Sequence, residues 1–282
     1  MASLLITRLR QGKRTLPFPD AEPNLPDRFR GLPTIDRSRC PTGCEACVSA
    51  CPTDAIAING SLQMDLGRCL FCPECANACP EKAIGFSREY RLATSNRSDL
   101  LLNDRQTLKL AHRLADDLHR ILGRSLKLRQ VSAGGCNGCE ADVNVLNTVV
   151  FDLGRFGIQF VASPRHADGL LVTGPVTRNM HLALEKTYAA VPEPKIVIAV
   201  GACAISGGPF RDHPEVLNGA GYVVPIDLFI PGCPPHPITI LDGLLRLIGK
   251  IESPAPREPL RTLTGSCTKE AFERPMRRWG DG

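Results

Sequence analysis

The sequence predicts an α/β fold, a parallel sheet flanked by helices, preceded by a smaller α+β unit. Two patterns carry that expectation. Between residues 126 and 250, apolar runs of strand length alternate with segments of helical periodicity. The runs are Leu126–Val131, 158–161, 169–173, Ile196–Val200 and 223–230; the helical segments lie near 140–153, 178–190 and 237–249. Strands that alternate with helices build a parallel sheet with helices on its faces. Between residues 36 and 86 the chain instead repeats itself. Cys44, Cys47, Cys51, Pro52, Ala55 and Ile56 recur 28 residues later as Cys72, Cys75, Cys79, Pro80, Ala83 and Ile84. Such a duplication predicts a pseudo-twofold unit, with a core too small to fold without staples. A chain of 282 residues, 43% of them hydrophobic, has room for both units.

Taken in order, residues 1–35 read as an extended arm that wraps a neighbour, since Pro17, Pro19, Pro23, Pro26 and Pro33 exclude a long helix. Residues 36–86 form the duplicated unit. Residues 87–125 read as a helical linker: Asp104 to Leu122 sets Leu108, Ala111, Leu114, Ala115, Leu118, Ile121 and Leu122 at helical spacing, and Gly123 suits the end. Its His112 and His119 read as surface residues. Within residues 126–250, the helix near 140–153 puts Val143, Leu146, Val149, Val150 and Leu153 in one stripe. The last helix buries Ile240, Leu241, Leu244, Leu245 and Ile248. Residues 251–282 are a polar tail whose Cys267 reads as a free thiol.

Composition excludes several classes. The thirteen cysteines sit at metal-ligand spacings in a long chain, which points to a reducing cytosol and not to a disulfide scaffold. Met1–Arg10 has too short an apolar stretch for a secretion signal, and no window approaches the roughly 18 apolar residues of a membrane span. The net charge of +5 is too mild to argue for nucleic acid. The positive charges are uneven, however. Arg8, Arg10, Lys13 and Arg14 stand beside Leu4, Leu5, Ile6 and Leu9. This is either a frayed terminus or a basic–apolar segment resting on a membrane surface or a membrane subunit.

The cysteines then carry the chemistry. In an open parallel sheet, ligands bind beyond the carboxyl ends of the strands. Cys136 and Cys139 follow the first run, Cys203 follows Ile196–Val200, and Cys233 follows Ile226–Ile230. The three loops should meet at one edge, and four thiolates at one point hold an iron–sulfur cluster or a zinc ion. In the duplicated unit, Cys69-x2-Cys72-x2-Cys75-x3-Cys79-Pro80 is the bacterial ferredoxin run, whose fourth cysteine serves the other cluster. It assigns Cys69, Cys72, Cys75 and Cys51 to one 4Fe–4S cluster, and Cys40, Cys44, Cys47 and Cys79 to the other. Zinc sites usually pair two CxxC units a dozen or more residues apart, whereas here eight cysteines interleave. One departure is the three residues between Cys40 and Cys44, where the second copy has two. Pro41, Thr42 and Gly43 would make a slightly wider loop.

On these motifs the segment from Pro17 through Leu102 resembles the eight-iron ferredoxin subunit of complex I and of formate hydrogenlyase. The shared features are the proline-rich arm, Phe29-Arg30-Gly31, both cysteine runs, and the later Tyr90 to Ala93 and Arg97 to Leu100. Residues 129 to 249 resemble the small subunit of membrane-bound nickel–iron hydrogenases and the complex I subunit that carries the last cluster before quinone. The matching elements are Gly135 to Glu140, Ser163 to Asp168, Thr173 to Thr177, Gly201 to Cys203 and Pro231 to Pro235. The Cys136-x2-Cys139 spacing follows the hydrogenase side, complex I proper usually having adjacent cysteines. The two resemblances cover about three-quarters of the chain and describe a fusion of two subunits that are normally separate.

The resemblance implies a flavodoxin-like sheet domain behind a two-cluster ferredoxin-like domain. It implies three 4Fe–4S clusters, the third on Cys136, Cys139, Cys203 and Cys233, relaying electrons to or from a catalytic large subunit of the nickel–iron hydrogenase type. The catalytic residues would lie on that partner. Membrane subunits, and a formate dehydrogenase or ferredoxin donor, complete the expected complex on the cytoplasmic face of the membrane. A complex that reduces quinone or another carrier is the alternative, and a zinc-stabilised binding module is the alternative of another class. Lesser candidates are Arg165 and His166, read either as residues beside the third site that tune its cluster or meet the large subunit, or as core or interface packing, and His236, read as a helix-start residue or a donor to cluster sulfur. Gly134, Gly174 and Gly201 read as small rim residues that leave room for a partner. Ser206-Gly207-Gly208-Pro209 reads as a turn.

Overall fold

The computed structural model of the chain describes residues 2–58, 61–103, 108–122 and 125–252. It opens with helix α1 (Ala2–Gln11) and an irregular segment as far as Leu32. The duplicated unit then runs β1 (Pro33–Ile35), α2 (Ala46–Ser49), β2 (Ile56–Ile58), β3 (Leu62–Asp65), α3 (Glu74–Ala78) and β4 (Ile84–Phe86). The two copies are built alike. α2 and β2 begin 28 residues before α3 and β4, and Asp54 and Lys82 both turn through a φ of 50°. β1 pairs antiparallel with β4, while β3 pairs with β2 and with β5 (Leu101–Asn103). The strands are too short to enclose much apolar volume. Cys47, Cys69 and Cys75 accordingly share one buried cluster with Leu62, Met64 and Leu66.

After α4 (Asp116–Leu122) the chain alternates as its apolar runs require: β6 (Leu126–Ser132), α5 (Gly138–Val145), β7 (Ile158–Phe160), β8 (Gly169–Thr173), α6 (Arg178–Ala190), β9 (Ile196–Val200), α7 (Ala202–Ser206), β10 (Leu228–Ile230) and α8 (Pro237–Leu247). The five strands are all parallel, in the order β10-β9-β8-β6-β7. Numbered from β6, this is 2-1-3-4-5, the flavodoxin-like winding, whose strand order reverses between β6 and β8. Every residue of β8 and β9 is buried, as expected of strands covered on both faces. α8 is buried along its whole length. Its internal ion pair, Arg246 Nε to Asp242 Oδ2 at 2.8 Å, joins two side chains at most 2% exposed.

The segment before the sheet is a strap and not the helical linker that its periodicity predicts. Among its described residues, helix is confined to Asp116–Leu122. Upstream, the Ala111 N–H donates to Ala93 O at 2.7 Å and the Leu114 N–H to Leu247 O at 3.0 Å. Donors committed elsewhere cannot close helical turns. Thr94 and Phe229 exchange backbone hydrogen bonds of 3.0 and 2.9 Å, so the strap extends the outer edge of β10. Residues 104–107 and Gly123 lie outside the described residues, as do 253–282 with Cys267.

Three other expectations change. The N-terminal arm carries a helix, α1, and its proline-rich part packs on its own chain. Phe18 is buried against Tyr90 with ring centroids 6.1 Å apart, the Leu16 N–H donates to Val150 O at 2.8 Å, and Arg155 binds the carbonyls of Leu16 and Phe18. The helix near 140–153 stops at Val145. Val149 and Val150 are exposed and offer their carbonyls to Thr15 and Leu16, while Leu153 stays in the core. Arg165 and His166 are exposed in a short turn ahead of β8. The neighbouring Asp168 binds Lys127 at the start of β6. This places them at the amino end of the sheet, opposite the cysteine-bearing loops.

Candidate metal centres

The twelve cysteines among the described residues are all free thiols, and burial and neighbouring thiols raise several of them. Cys47 is raised by burial and by the charges of Cys40 and Cys79. Burial pushes Cys69 up to about 12 and Cys75 to about 11, and Cys51 and Cys72 act on both. In the sheet domain, burial pushes Cys203 up to about 12, with Cys233 and Cys136 adding to it. Cys139 is raised by burial and then by Cys203, Cys233, Glu140 and Cys136. Thus Cys51 stands with the cysteines of the second copy and Cys79 with those of the first. Cys44 lies in the same loop as Cys40, its N–H donating to Pro41 O at 3.3 Å. Gly43, at a φ of +81°, takes up the extra residue there.

The backbone around these thiols favours bound, ionised sulfur. The Ala55 N–H donates to Cys51 Sγ and the Ala83 N–H to Cys79 Sγ, both at 3.2 Å. The Phe71 N–H donates to Cys69 Sγ at 3.3 Å. The first two bonds are the same bond in the two copies, aimed by the left-handed turns at Asp54 and Lys82. A buried thiol facing other thiols, as Cys47, Cys69, Cys75 and Cys203 do, does not ionise readily without a positive partner; a metal cluster with thiolate ligands is such a partner. The donors these loops present are thiols, whose soft sulfur suits an iron–sulfur cluster.

The sheet domain assembles its group from loops after three different strands. Cys136 and Cys139 follow β6, Cys203 lies in α7 after β9, and Cys233 follows β10. The loops pack so closely that glycine is required. A Cβ on Gly201, whose φ is +91°, would lie 2.5 Å from Cys139 Sγ, and one on Gly174 would lie 2.6 Å from Gly135 N. A Cβ on Gly134 would strike the Thr177 side chain at 2.5 Å. These glycines make room for the chain's own loops and sulfur, where the sequence suggested room for a partner. Cys136 and Cys233 are exposed and Cys203 is buried, so the group opens on one side.

Two neighbours complete the site. Glu140 is 6% exposed; its Oε1 accepts from Ser132 Oγ at 2.6 Å and from Thr173 Oγ1 at 2.7 Å. It ties the ends of β6 and β8 together at the point where strand order reverses, and it adds negative charge beside Cys139 and Cys203. Sequence reasoning saw Glu140 only as part of a motif; its place in the first turn of a helix was the available signal. His236 caps α8, its Nδ1 accepting the Ile238 N–H at 3.2 Å, which is the helix-start role. His119 Nε2 lies 3.1 Å from Ile248 O, and His112 is exposed.

Comparison with known proteins agrees with this geometry. Residues 136–247 match the family model described as NADH ubiquinone oxidoreductase, 20 Kd subunit, and residues 39–83 match that of a 4Fe-4S dicluster domain. The chain is 40% identical over 151 residues to the probable membrane-bound hydrogenase subunit mbhJ of Pyrococcus furiosus, covering 54% of this chain and 90% of that protein. It is 46% identical over 129 residues to formate hydrogenlyase subunit 7 of Escherichia coli, covering 46% of this chain and 51% of that one. To an NADH-quinone oxidoreductase subunit of Heliobacterium modesticaldum it is 42% identical over 124 residues, covering 44% and 71%. The chain belongs to the family of the NADH ubiquinone oxidoreductase 20 Kd subunit, the iron–sulfur subunit of hydrogenase and quinone oxidoreductase complexes, and carries a 4Fe–4S dicluster domain ahead of it.

Proposed function

We propose that this chain holds three 4Fe–4S clusters and relays electrons to or from a catalytic large subunit. Cys40, Cys44, Cys47 and Cys79 would hold the first cluster. Cys51, Cys69, Cys72 and Cys75 would hold the second, and Cys136, Cys139, Cys203 and Cys233 the third. The observation that supports this reading is which thiols lie near which: Cys79 with Cys40 beside Cys47, Cys51 with Cys72 beside Cys69 and Cys75, and Cys136, Cys203 and Cys233 beside Cys139, so that Cys51 and Cys79 are exchanged between the copies. When bound, such clusters supply one-electron oxidation and reduction. The chain's own part is to bind and insulate them. The N–H groups of Ala55, Phe71 and Ala83 compensate negative charge on sulfur, while Leu62, Met64 and Leu66 exclude water from the first two sites.

The functional parts are then residues 36–86 and 126–250, joined through 87–125, with the arm 1–35 clamped across both. The large subunit would cover the open side of the third site, over Cys136 and Cys233. A nickel–iron hydrogenase type of partner is favoured by the identity to mbhJ over 90% of that protein. The 42% identity to the NADH-quinone oxidoreductase subunit over 71% of its length supports quinone reduction as a second reading. Leu4 and Leu9, exposed on α1 beside Arg8 and Arg10, support a peripheral seat at the cytoplasmic face of the membrane, against lipid or a membrane subunit. Among the described residues no helix is long and apolar enough to cross a membrane. The test is activity of the parts. The isolated, iron-loaded chain should accept electrons from a low-potential donor yet neither evolve hydrogen nor reduce quinone. Adding the large subunit should restore turnover. Hydrogen evolution by the single chain would refute the division of labour.

A further inference from the structure

The two copies of the duplicated unit differ at one position with a consequence for the third site. Position 43 of the first copy corresponds to position 71 of the second, 28 residues on. Both adopt left-handed backbone, Gly43 at a φ of +81° and Phe71 at +54°. Glycine adopts this conformation freely; a phenylalanine held there is strained and persists only where its surroundings over-determine it. For Phe71 those surroundings are specific. Its N–H donates to Cys69 Sγ at 3.3 Å, its ring is buried, and its carbonyl accepts from Arg30 Nε at 2.5 Å. A Cβ built on Gly43, by contrast, would meet nothing within 4 Å.

The Phe71 loop is the part of the unit that faces the sheet domain. Cys69 and Phe71 share a buried cluster with Ala204, Ile205 and Phe229. Nearby, Ser206 Oγ donates to Gly67 O at 2.8 Å, and the charge of Cys72 reaches Cys233. Phe29, the residue before Arg30, reaches the other side of the same seam. Its ring meets His236 edge-on at 5.5 Å and 87°, at the start of α8 and three residues beyond Cys233. The register of this segment is fixed from behind: the Gly31 N–H donates to Ser87 O at 2.9 Å, and a Cβ on Gly31 would overlap Glu89 O. Adjacent side chains of one segment therefore grip the cysteine loops of two different sites.

We infer that Phe29 and Arg30 are positioning residues that hold the Cys69–Cys72 loop against the Cys233 loop, with Arg30 also supplying positive charge to the second site. The inference rests on the three-cluster reading. Removal of a cation disfavours a reduced, more negative cluster, by a modest amount here because Arg30 is exposed. The experiment uses the full chain, loaded with iron and sulfide, as parent, Arg30→Gln, Arg30→Lys and Phe29→Ala. Iron content and the spectrum of the reduced parent test the cluster assignment separately. Potentiometric titration followed by electron paramagnetic resonance should show Arg30→Gln lowering the midpoint of one ferredoxin-type cluster only. At fixed poise its reduced-to-oxidised ratio should fall about threefold or more, and Arg30→Lys should recover most of that. Phe29→Ala, distant from every thiol loop in sequence, should keep its iron and its midpoints while changing the spin relaxation that couples the second and third clusters. Midpoints and relaxation that superimpose on the parent in both variants would overturn the inference. If Arg30→Gln fails to hold the second cluster, unchanged relaxation in Phe29→Ala overturns it alone.

Discussion

The duplicated unit and the sheet domain gather thiols by opposite routes. In the first, eight cysteines lie within 40 residues of sequence, Cys40 to Cys79, in loops and short helices between strands of three or four residues, and Cys47, Cys69 and Cys75 are part of the buried cluster. In the second, Cys136, Cys139, Cys203 and Cys233 span nearly 100 residues, and a five-stranded sheet with a fully buried helix brings them together. On the proposed assignment, one region depends on its metal for a core, and the other has a core that builds a place for metal.

The largest expected effect of that contrast is on iron removal. Anaerobic chelation should abolish amide protection in residues 36–86, because the folding free energy of such a unit resides largely in its metal. Strands β6, β8 and β9 should remain protected. Simultaneous loss in both regions by hydrogen exchange would break the contrast. Next in size is Asp242→Ala, which leaves Arg246 charged and unpaired inside α8 and should cost about 3–5 kcal/mol in denaturant unfolding of the sheet domain. A change below about 1 kcal/mol would show that the pair is dispensable to the helix.

Two smaller, paired effects sharpen the comparison site by site. Gly201→Ala places a methyl group against Cys139 Sγ in a left-handed position, so it should remove about one-third of the bound iron and leave the ferredoxin-type signals intact. Cys79→Ser should damage the cluster of Cys40, Cys44 and Cys47 and spare its sequence neighbour Cys75, because the fourth ligand crosses over. Loss of the signal associated with Cys69, Cys72 and Cys75 would contradict the grouping.

Where the sequence was legible, one physical rule acted alone. The buried runs of β8 and β9 and the length of α6 followed from periodicity, and the sheet edge followed from the position of three cysteine loops after their strands. Reading failed where tertiary hydrogen bonds took the backbone. Leu108, Ala111, Leu114 and Leu118 have helical spacing, yet Ala111 and Leu114 donate to Ala93 and Leu247. Val149 and Val150 continue an apolar stripe, yet their carbonyls receive the N-terminal arm. Arg165 and His166 sit in a loop as expected, but the chain has already returned to the amino end of the sheet. Glu140 and Arg30 act through partners 33 and 41 residues away in sequence, a distance no local pattern reports.

The central claim, three clusters on twelve thiols in one chain, is tested most directly by iron and acid-labile sulfide analysis of anaerobically prepared protein. Three four-iron centres require about twelve of each per chain. Eight or fewer irons in a fully loaded sample, or zinc in stoichiometric amount, would contradict it.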